Sequence, residues 1–386
     1  MRGHVRERGK GNWYAVLSVR DPATGRRKTK WRRLKATGKR QAQLECARLI
    51  GELGVGGYGE SDRVTVSQFL VRWLDYVRTQ VSPRSHERYA EIVRQHLVPA
   101  LGAIRLTRLQ PGDISTAYAK ALTGGRADGK GGLSPTSVRQ IHWILSAACK
   151  QAVRWGALVR NPVNLVDAPL VERKPMKTLD IDQALGALER LRATPLFIPA
   201  LLGVFCGLRR GEICALRWDH VSSDNLQITQ SAEQTATGIR YKQTKTGRGR
   251  NVRMPALVQQ ELKAWRLKQA QEFLQLGIRP DGQTFVATKG GAPLWPRALS
   301  QQWSHELDRA GIARLRFHDL RHSHATHLLS SGVHPKVAQE RLGHSAISTT
   351  IDVYSHVLPE MQADAVDRID KALESASKRL ARRRRE

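Results

Sequence analysis

Residues 317–356 read FHDLRHSHATHLLSSGVHPKVAQERLGHSAISTTIDVYSH, and the rest of the chain is organised around this stretch. A His–Arg pair three residues apart, His318 and Arg321, heads an apolar run with helical spacing. His344 follows in a Leu-Gly-His turn, and a lone tyrosine, Tyr354, comes ten residues later. Residues three apart on a helix are neighbours on one face, so His318 and Arg321 can address one small object. Imidazoles that move protons, a fixed cation and a phenol are the groups needed to open a phosphodiester through a covalent phosphotyrosine.

A tyrosine hydroxyl, with a reference pKa of about 10, is a poor nucleophile at neutral pH. It needs a base for its proton and cations for the charge that builds on phosphorus, because phosphoryl transfer is catalysed chiefly by positioning and electrostatics. A second arginine and an acid for the leaving oxygen are therefore expected elsewhere. Arg209, in Gly207-Leu-Arg-Arg-Gly-Glu212, follows an apolar helix and supplies the arginine. The plainer account is a surface Arg209–Glu212 ion pair of little worth to stability. Lys245, in the turn Lys245-Thr-Gly-Arg-Gly249, is the candidate acid, since its glycines allow close approach to a backbone. Lys242 is the rival, deeper in its strand. A lysine crowded by arginines loses its proton more readily.

Composition points to the same kind of partner. The 386 residues carry 64 Lys and Arg against 34 Asp and Glu, a formal charge of +30, and the sequence pI is near 10.9. The basic residues run through the whole chain without a long apolar anchor, which favours nucleic acid over a membrane surface. The most apolar window, Leu196 to Leu208, is too short to span a bilayer and contains Pro199. The basic N-terminus lacks a hydrophobic core, so no secretory signal is expected. Four cysteines (Cys46, Cys149, Cys206, Cys214) form no CxxC pair, as expected of a reduced cytoplasmic protein.

Taken in order, residues 1–57 read as a small basic β unit followed by a helix. Trp13, Ala15, Leu17 and Val19 alternate at the strand period, Asp21 to Gly25 makes a turn, Arg26 to Leu34 returns as a second strand, and Lys39 to Leu53 has helical spacing. Such a hairpin could merely be solvated, or it could dock in a DNA groove as basic β-ribbons do. A Gly-rich stretch from Gly51 to Gly59 reads as a linker.

Residues 62–165 read as all-helical, with Val66, Phe69, Leu70, Trp73 and Leu74 on one face and a last helix running through Val138 and Ala152 to Asn161-Pro162. After a charged segment, residues 175–360 combine helices with a short sheet between Leu226 and Pro255 whose hairpin turn is Lys245 to Gly249. The tail, 361–386, has helical periodicity at Val366, Ile369 and Leu373 and ends in Ala-Arg-Arg-Arg-Arg-Glu.

These pieces resemble a tyrosine recombinase of the phage-integrase family. CGLRRGEICALRW is similar to the family's first arginine box, YKQTKTGRGRNVRMP to its β-hairpin lysine, HDLRHSHATHLL to its His-x-x-Arg box, and LGHSAISTTIDVYSHV to its final histidine and tyrosine. The boxes occur in the family's order, and each holds its key residue. LSPTSVRQIHWILSAACKQAVRWGALVRNPV resembles the family's core-binding domain, and the N-terminal unit resembles its arm-type domain less specifically. Cys206 stands where the family more often has Thr or Ser.

The resemblance implies a multidomain chain: an N-terminal β-hairpin/helix arm-binding unit, an all-α core-binding domain, and a mainly α catalytic domain with a small β-sheet. Its catalytic set falls on Arg209, Lys245, His318, Arg321, His344 and Tyr354, with Glu212 as the accompanying acidic residue. It implies no cofactor and no metal. The implied partners are double-stranded attachment sites, four protomers in the synaptic complex and an accessory DNA-bending or directionality factor. The implied location is the bacterial cytoplasm, in association with the nucleoid.

A metal site built on His318, His322, His324 and His327 lacks an HExxH or cysteine partner. Most of His322, His324 and His327 are expected on the helix surface or facing DNA. A silent DNA-binding regulator would show a damaged box, and none is damaged. A type IB topoisomerase would not need the N-terminal β unit.

Overall fold

The structure, a computed structural model, describes residues 2–9, 11–20, 27–54, 63–126, 128–172, 176–243, 249–309, 311–312, 314–344, 366, 369–371, 373–374 and 376. Contacts divide the chain into two units, Met1–Glu172 and Arg173–Glu386.

The first unit begins with three antiparallel strands, β1 (Arg2–Glu7), β2 (Trp13–Arg20) and β3 (Arg27–Arg33), in spatial order β1-β2-β3. Helix α1 (Lys39–Gly54) follows, and Ala42 and Cys46 pack on Ala15 and Leu17. Sequence reasoning found β2 and β3 but not β1. RGHVRE offers a single strong apolar residue, Val5, so the strand is recruited by backbone pairing with β2 and carries no alternation of its own.

The same unit holds a second, helical core. It is built from α2 (Val66–Val77), α3 (Pro83–Ile92) running through a π turn (Val93–Leu97) into α4 (Val98–Leu101), then α5 (Pro111–Gly124) and α6 (Pro135–Arg154). Thr65 caps α2 in a reciprocal box with Gln68, and Val66, Phe69, Leu70 and Trp73 enter the core beside Val138, Ile141 and Leu145. Helix α6 ends at Arg154, earlier than Asn161-Pro162. Gly156 takes φ +71°, and the amide of Ala157 returns to the carbonyl of Ala152 at 2.8 Å. That left-handed glycine closes the helix by the usual C-terminal motif before the proline is reached.

The second unit is centred on α8 (Phe197–Cys206), preceded by α7 (Ile181–Leu191). Helix α8 is apolar nearly all round and accordingly buried, with Leu201, Leu202 and Val204 at 1% exposure or less. It ends at Gly207 (φ +66°) and gives way to the short α9 (Arg210–Ile213). Strands β4 (Asn225–Ile228), β5 (Gln230–Thr235), β6 (Gly238–Gln243) and β7 (Arg250–Arg253) come next. Then follow α10 (Ala256–Gln275), the ladder β8 (Thr288–Lys289) with β9 (Ala292–Pro293), α11 (Pro296–Arg309), α12 (Asp319–Ser330) and α13 (Pro335–Leu342).

Strand β5 pairs with β6 around a tight turn at Ala236–Thr237, and β4 pairs with β7. The register places Ile228 opposite Arg250 and Gln230 opposite Gln243. Residues 245–248 of the turn expected at Lys245 to Gly249 lie outside the described residues, and the paired hairpin β5–β6 turns at Ala236–Thr237. Gly238, at φ +131°, supplies the backbone conformation needed at the true end. At its described positions the tail is helical, and Val366, Ile369 and Leu373 are exposed there. No helix among the described residues is long and apolar enough to cross a membrane.

Candidate active site

The end of α8 delivers the first arginine. Gly207 reverses the chain, and the backbone N–H of Arg209 donates to Glu212 Oε2 at 2.8 Å while its Nη1 donates to Glu212 Oε1 at 2.8 Å. Glu212 is 2% exposed, so the pair is not the surface ion pair that sequence reasoning allowed. Arg250, at the start of β7, meets the same carboxylate from another direction. Its Nη1 and Nη2 lie 2.9 and 2.7 Å from Oε1 and Oε2. Burial alone would raise the Glu212 pKa, but the hydrogen bonds and charge of Arg250, with the charge of Arg209, hold it down at about 2. Glu212 is therefore an anion at every working pH and a fixed anchor for two guanidiniums.

The second arginine is on α12. Arg321 is 3% exposed, and donates from Nη1 to the Gly207 carbonyl and from Nη2 to the Leu342 carbonyl, each at 2.5 Å. Burial and the positive charges of Arg209 and Arg250 pull its pKa down to about 9, against the opposing pull of Glu212. It stays protonated at neutral pH. Asp319, buried in the first turn of α12, receives the backbone N–H of Arg316 at 2.9 Å and its guanidinium at 2.7 Å. This contact sets where the helix begins and so where His318, its N-terminal neighbour, stands.

Helix α13 ends at this point. Gly343 has φ +65°, and its carbonyl accepts Arg209 Nη2 at 2.6 Å. The preceding carbonyls, Leu342 and Arg341, accept Arg321 Nη2 at 2.5 Å and Arg250 Nε at 2.8 Å. Three successive carbonyls at a helix C-terminus, its electronegative end, are each bound by a different arginine.

The imidazoles around these cations are neutral. The His318 ring packs edge-on to His322 with centroids 4.9 Å apart. By accessible area His318 is exposed, yet its inner side is crowded. That crowding, with His322, Arg321 and Arg209 beside it, lowers its pKa below 6.5. A neutral ring can accept a proton. His344, just past α13, is pushed down to about 3 by burial and by Arg321, Arg209, His322 and His318.

The structure thus gathers Arg209, His318, Arg321 and His344 from three separate segments. Lys245 and Tyr354 lie outside the described residues. Lys242, the rival to Lys245, forms an ion pair with Glu233 across the β5–β6 ladder.

Two expectations need correcting. His324 is buried within the fold, with Nδ1 on the Val204 carbonyl at 3.1 Å and Nε2 accepting from Arg341 Nε at 3.0 Å. His327 likewise binds the Leu179 carbonyl through Nε2 at 2.7 Å. Both serve the fold: His324, buried, is bound to α8 through the Val204 carbonyl, and His327, half-buried, to the segment before α7 through the Leu179 carbonyl. Sequence reasoning also missed Arg250. Nothing local separates it from the arginines at 248 and 253, and its role depends on a partner 38 residues away. Cys206 is fully buried at the end of α8, as a packing residue would be.

Comparison with known proteins shows the family to which the chain belongs. Residues 177–361 match the phage integrase family, and residues 65–122 match the phage integrase N-terminal SAM-like domain. An integrase of Saccharopolyspora erythraea is 26% identical, the match covering 88% of this chain and 90% of the relative. The ICEBs1 integrase of Bacillus subtilis is 26% identical over 92% of this chain and 95% of its own. Tyrosine recombinase XerC of Chromohalobacter salexigens reaches 32% identity over 61% of this chain and 74% of its own. Among solved structures, the Tn1549 transposon integrase with circular intermediate DNA superposes with a TM-score of 0.62 at 19% identity, covering 77% of this chain and 99% of that one. The lambda integrase tetramer on a Holliday junction gives 0.58 at 19% identity, over 89% and 95%. The chain belongs to the phage integrase family, the tyrosine-type site-specific recombinases.

Proposed function

We propose that this chain integrates or excises a mobile DNA element by cutting and rejoining duplex DNA through a 3′-phosphotyrosyl bond to Tyr354. The observation that carries the reading is the pairing of Arg209 and Arg321 beside two neutral imidazoles, with both guanidiniums held by backbone carbonyls. Such preorganised cations stabilise charge developing on a phosphoryl group without reorganising during the reaction.

In this scheme the Tyr354 oxygen attacks phosphorus as His318 takes its proton. The bond from phosphorus to the 5′ oxygen breaks, and Lys245 protonates the departing oxygen. His344 donates a hydrogen bond to the phosphate. The new phosphotyrosine keeps the energy of the broken ester, so a 5′ hydroxyl of a partner duplex can attack it and regenerate Tyr354. The scheme calls for neither ATP nor a divalent metal, and cleavage should survive EDTA.

Residues 62–165 and 175–360 would close on core DNA, while residues 1–57 would read a second class of site. The lambda integrase relative was crystallised as a tetramer on a Holliday junction, and the same assembly fits strand exchange in pairs here. A reduced cytoplasmic setting in a bacterium suits an enzyme acting on its chromosome.

The test is to incubate the protein with DNA flanking the element that encodes it and to sequence the covalently attached ends. On the suicide half-sites so defined, Tyr354→Phe should bind normally and form no adduct. An adduct from that variant would remove Tyr354 as nucleophile. Lys245→Ala should recover selectively on a 5′-thio leaving group, and failure to recover would pass the acid's role to Lys242.

A further inference from the structure

Arg250 spends its side chain entirely within the protein. Its guanidinium is 12% exposed, chelates both oxygens of Glu212 at 2.9 and 2.7 Å, and sends Nε to the Arg341 carbonyl at 2.8 Å. Glu212 in turn receives the backbone N–H and Nη1 of Arg209. The carboxylate's acceptor sites are then saturated, two by each arginine. Gly343 is shaped to admit this side chain, since a Cβ there would approach Arg250 Cδ and Nη1 to 3.2 Å.

Residue 250 also directly follows the segment that carries Lys245, and the Arg341 carbonyl it binds lies two residues before Gly343, which receives Arg209. We propose that Arg250 is a positioning residue for cleavage: it holds Glu212 so that Arg209 keeps its orientation, and it ties the start of β7, five residues after Lys245 in sequence, to the end of α13. With Arg250 gone, a buried carboxylate loses two charge-assisted bonds. Among the described residues its other partner is Arg209, whose guanidinium would be drawn inward, away from an incoming phosphate. Lysine is a point donor and cannot chelate both oxygens while reaching Arg341.

The proposal rests on the recombinase reading for its consequence and on the protein alone for its mechanism, so the experiment has two arms. On the suicide half-site duplex mapped above, Arg250→Met should cleave about 10- to 100-fold more slowly at saturating DNA, the scale of losing an outer partner that orients a site residue. Its half-site binding should change less than about threefold and its salt slope not at all, because no phosphate contact is lost. Arg250→Lys should fall between the two and guards against a methionine variant that misfolds. In thermal melts without DNA, Arg250→Met and Glu212→Gln should be strongly non-additive, the double variant no less stable than the worse single one.

Wild-type cleavage by Arg250→Met overturns the proposal. So does a loss of binding matching the loss of cleavage with a salt slope reduced by about one, which would make Arg250 a phosphate ligand. Additive melting overturns the link to Glu212. If the wild-type protein forms no adduct that Tyr354→Phe abolishes, the recombinase reading fails instead, and the melting cycle still decides the role of Arg250 in holding Glu212.

Discussion

At the scale of single residues, the site separates charge from neutrality by placement. Glu212 is held ionised at about 2 by Arg250 and Arg209 despite its burial. His324 shows the reverse: burial and the Arg341 guanidinium push it down to about 3, and the ring stays neutral between the Val204 carbonyl and Arg341. The sign of its linkage follows. In the unfolded chain this imidazole titrates near 6.5, so between that pH and about 3 the unfolded state binds more protons. The stabilisation is complete above about pH 6.5 and is lost as pH falls toward 3. Each pH unit in that window costs up to about 1.4 kcal/mol. Melting temperature should therefore drop between pH 7 and 4, and His324→Gln should flatten the drop while lowering the value at pH 7. An unchanged slope in the variant would show that the acid sensitivity arises from other groups.

At the scale of elements, two helix ends do the positioning. Helix α8 stops at Gly207, where an added Cβ would meet His324 Cδ2 at 2.6 Å and Leu342 Cδ2 at 2.8 Å, with φ already at +66°. Gly207→Ala combines backbone strain with a core clash and should cost about 2 kcal/mol or more. Because the Gly207 carbonyl also holds Arg321, cleavage should fall as well. Gly186→Ala on α7, where a Cβ meets nothing within 4 Å and φ is ordinary, should be neutral or slightly stabilising. Thermal melts and single-turnover cleavage of the two variants check this, and equal behaviour would show that the turn tolerates a side chain.

At the scale of the whole molecule, a charge of +30 predicts steep salt dependence of DNA binding, and the tail predicts coupling between protomers. Val366, Ile369 and Leu373 are each more than half exposed at helical positions, and their spacing puts them on one face. If that face docks on a neighbouring protomer, deleting 361–386 should spare binding to one half-site, weaken cooperative assembly on a full site and alter cleavage. A tail that only adds phosphate contacts predicts uniformly weaker binding, a shallower salt slope and unchanged cooperativity. Gel-shift titrations on half and full sites at several salt concentrations separate the two outcomes.

What the sequence determined by itself was chemistry carried in short spacing. His318 and Arg321 share a helical turn, the four boxes occur in order, and the apolar period marks α2 and α6, because such signals depend on neighbours a few residues apart. Tertiary structure alone decided the rest. Strand β1 exists through pairing with β2, and β6 and β7 take different partners, β5 and β4. His324 turns inward because α12 packs on α8, and His327 because the chain before α7 passes beside it. Arg250 matters because folding carries it to Glu212 and Arg341, 38 and 91 residues distant. A buried carboxylate must find its cations wherever the chain brings them, and no local pattern records that choice.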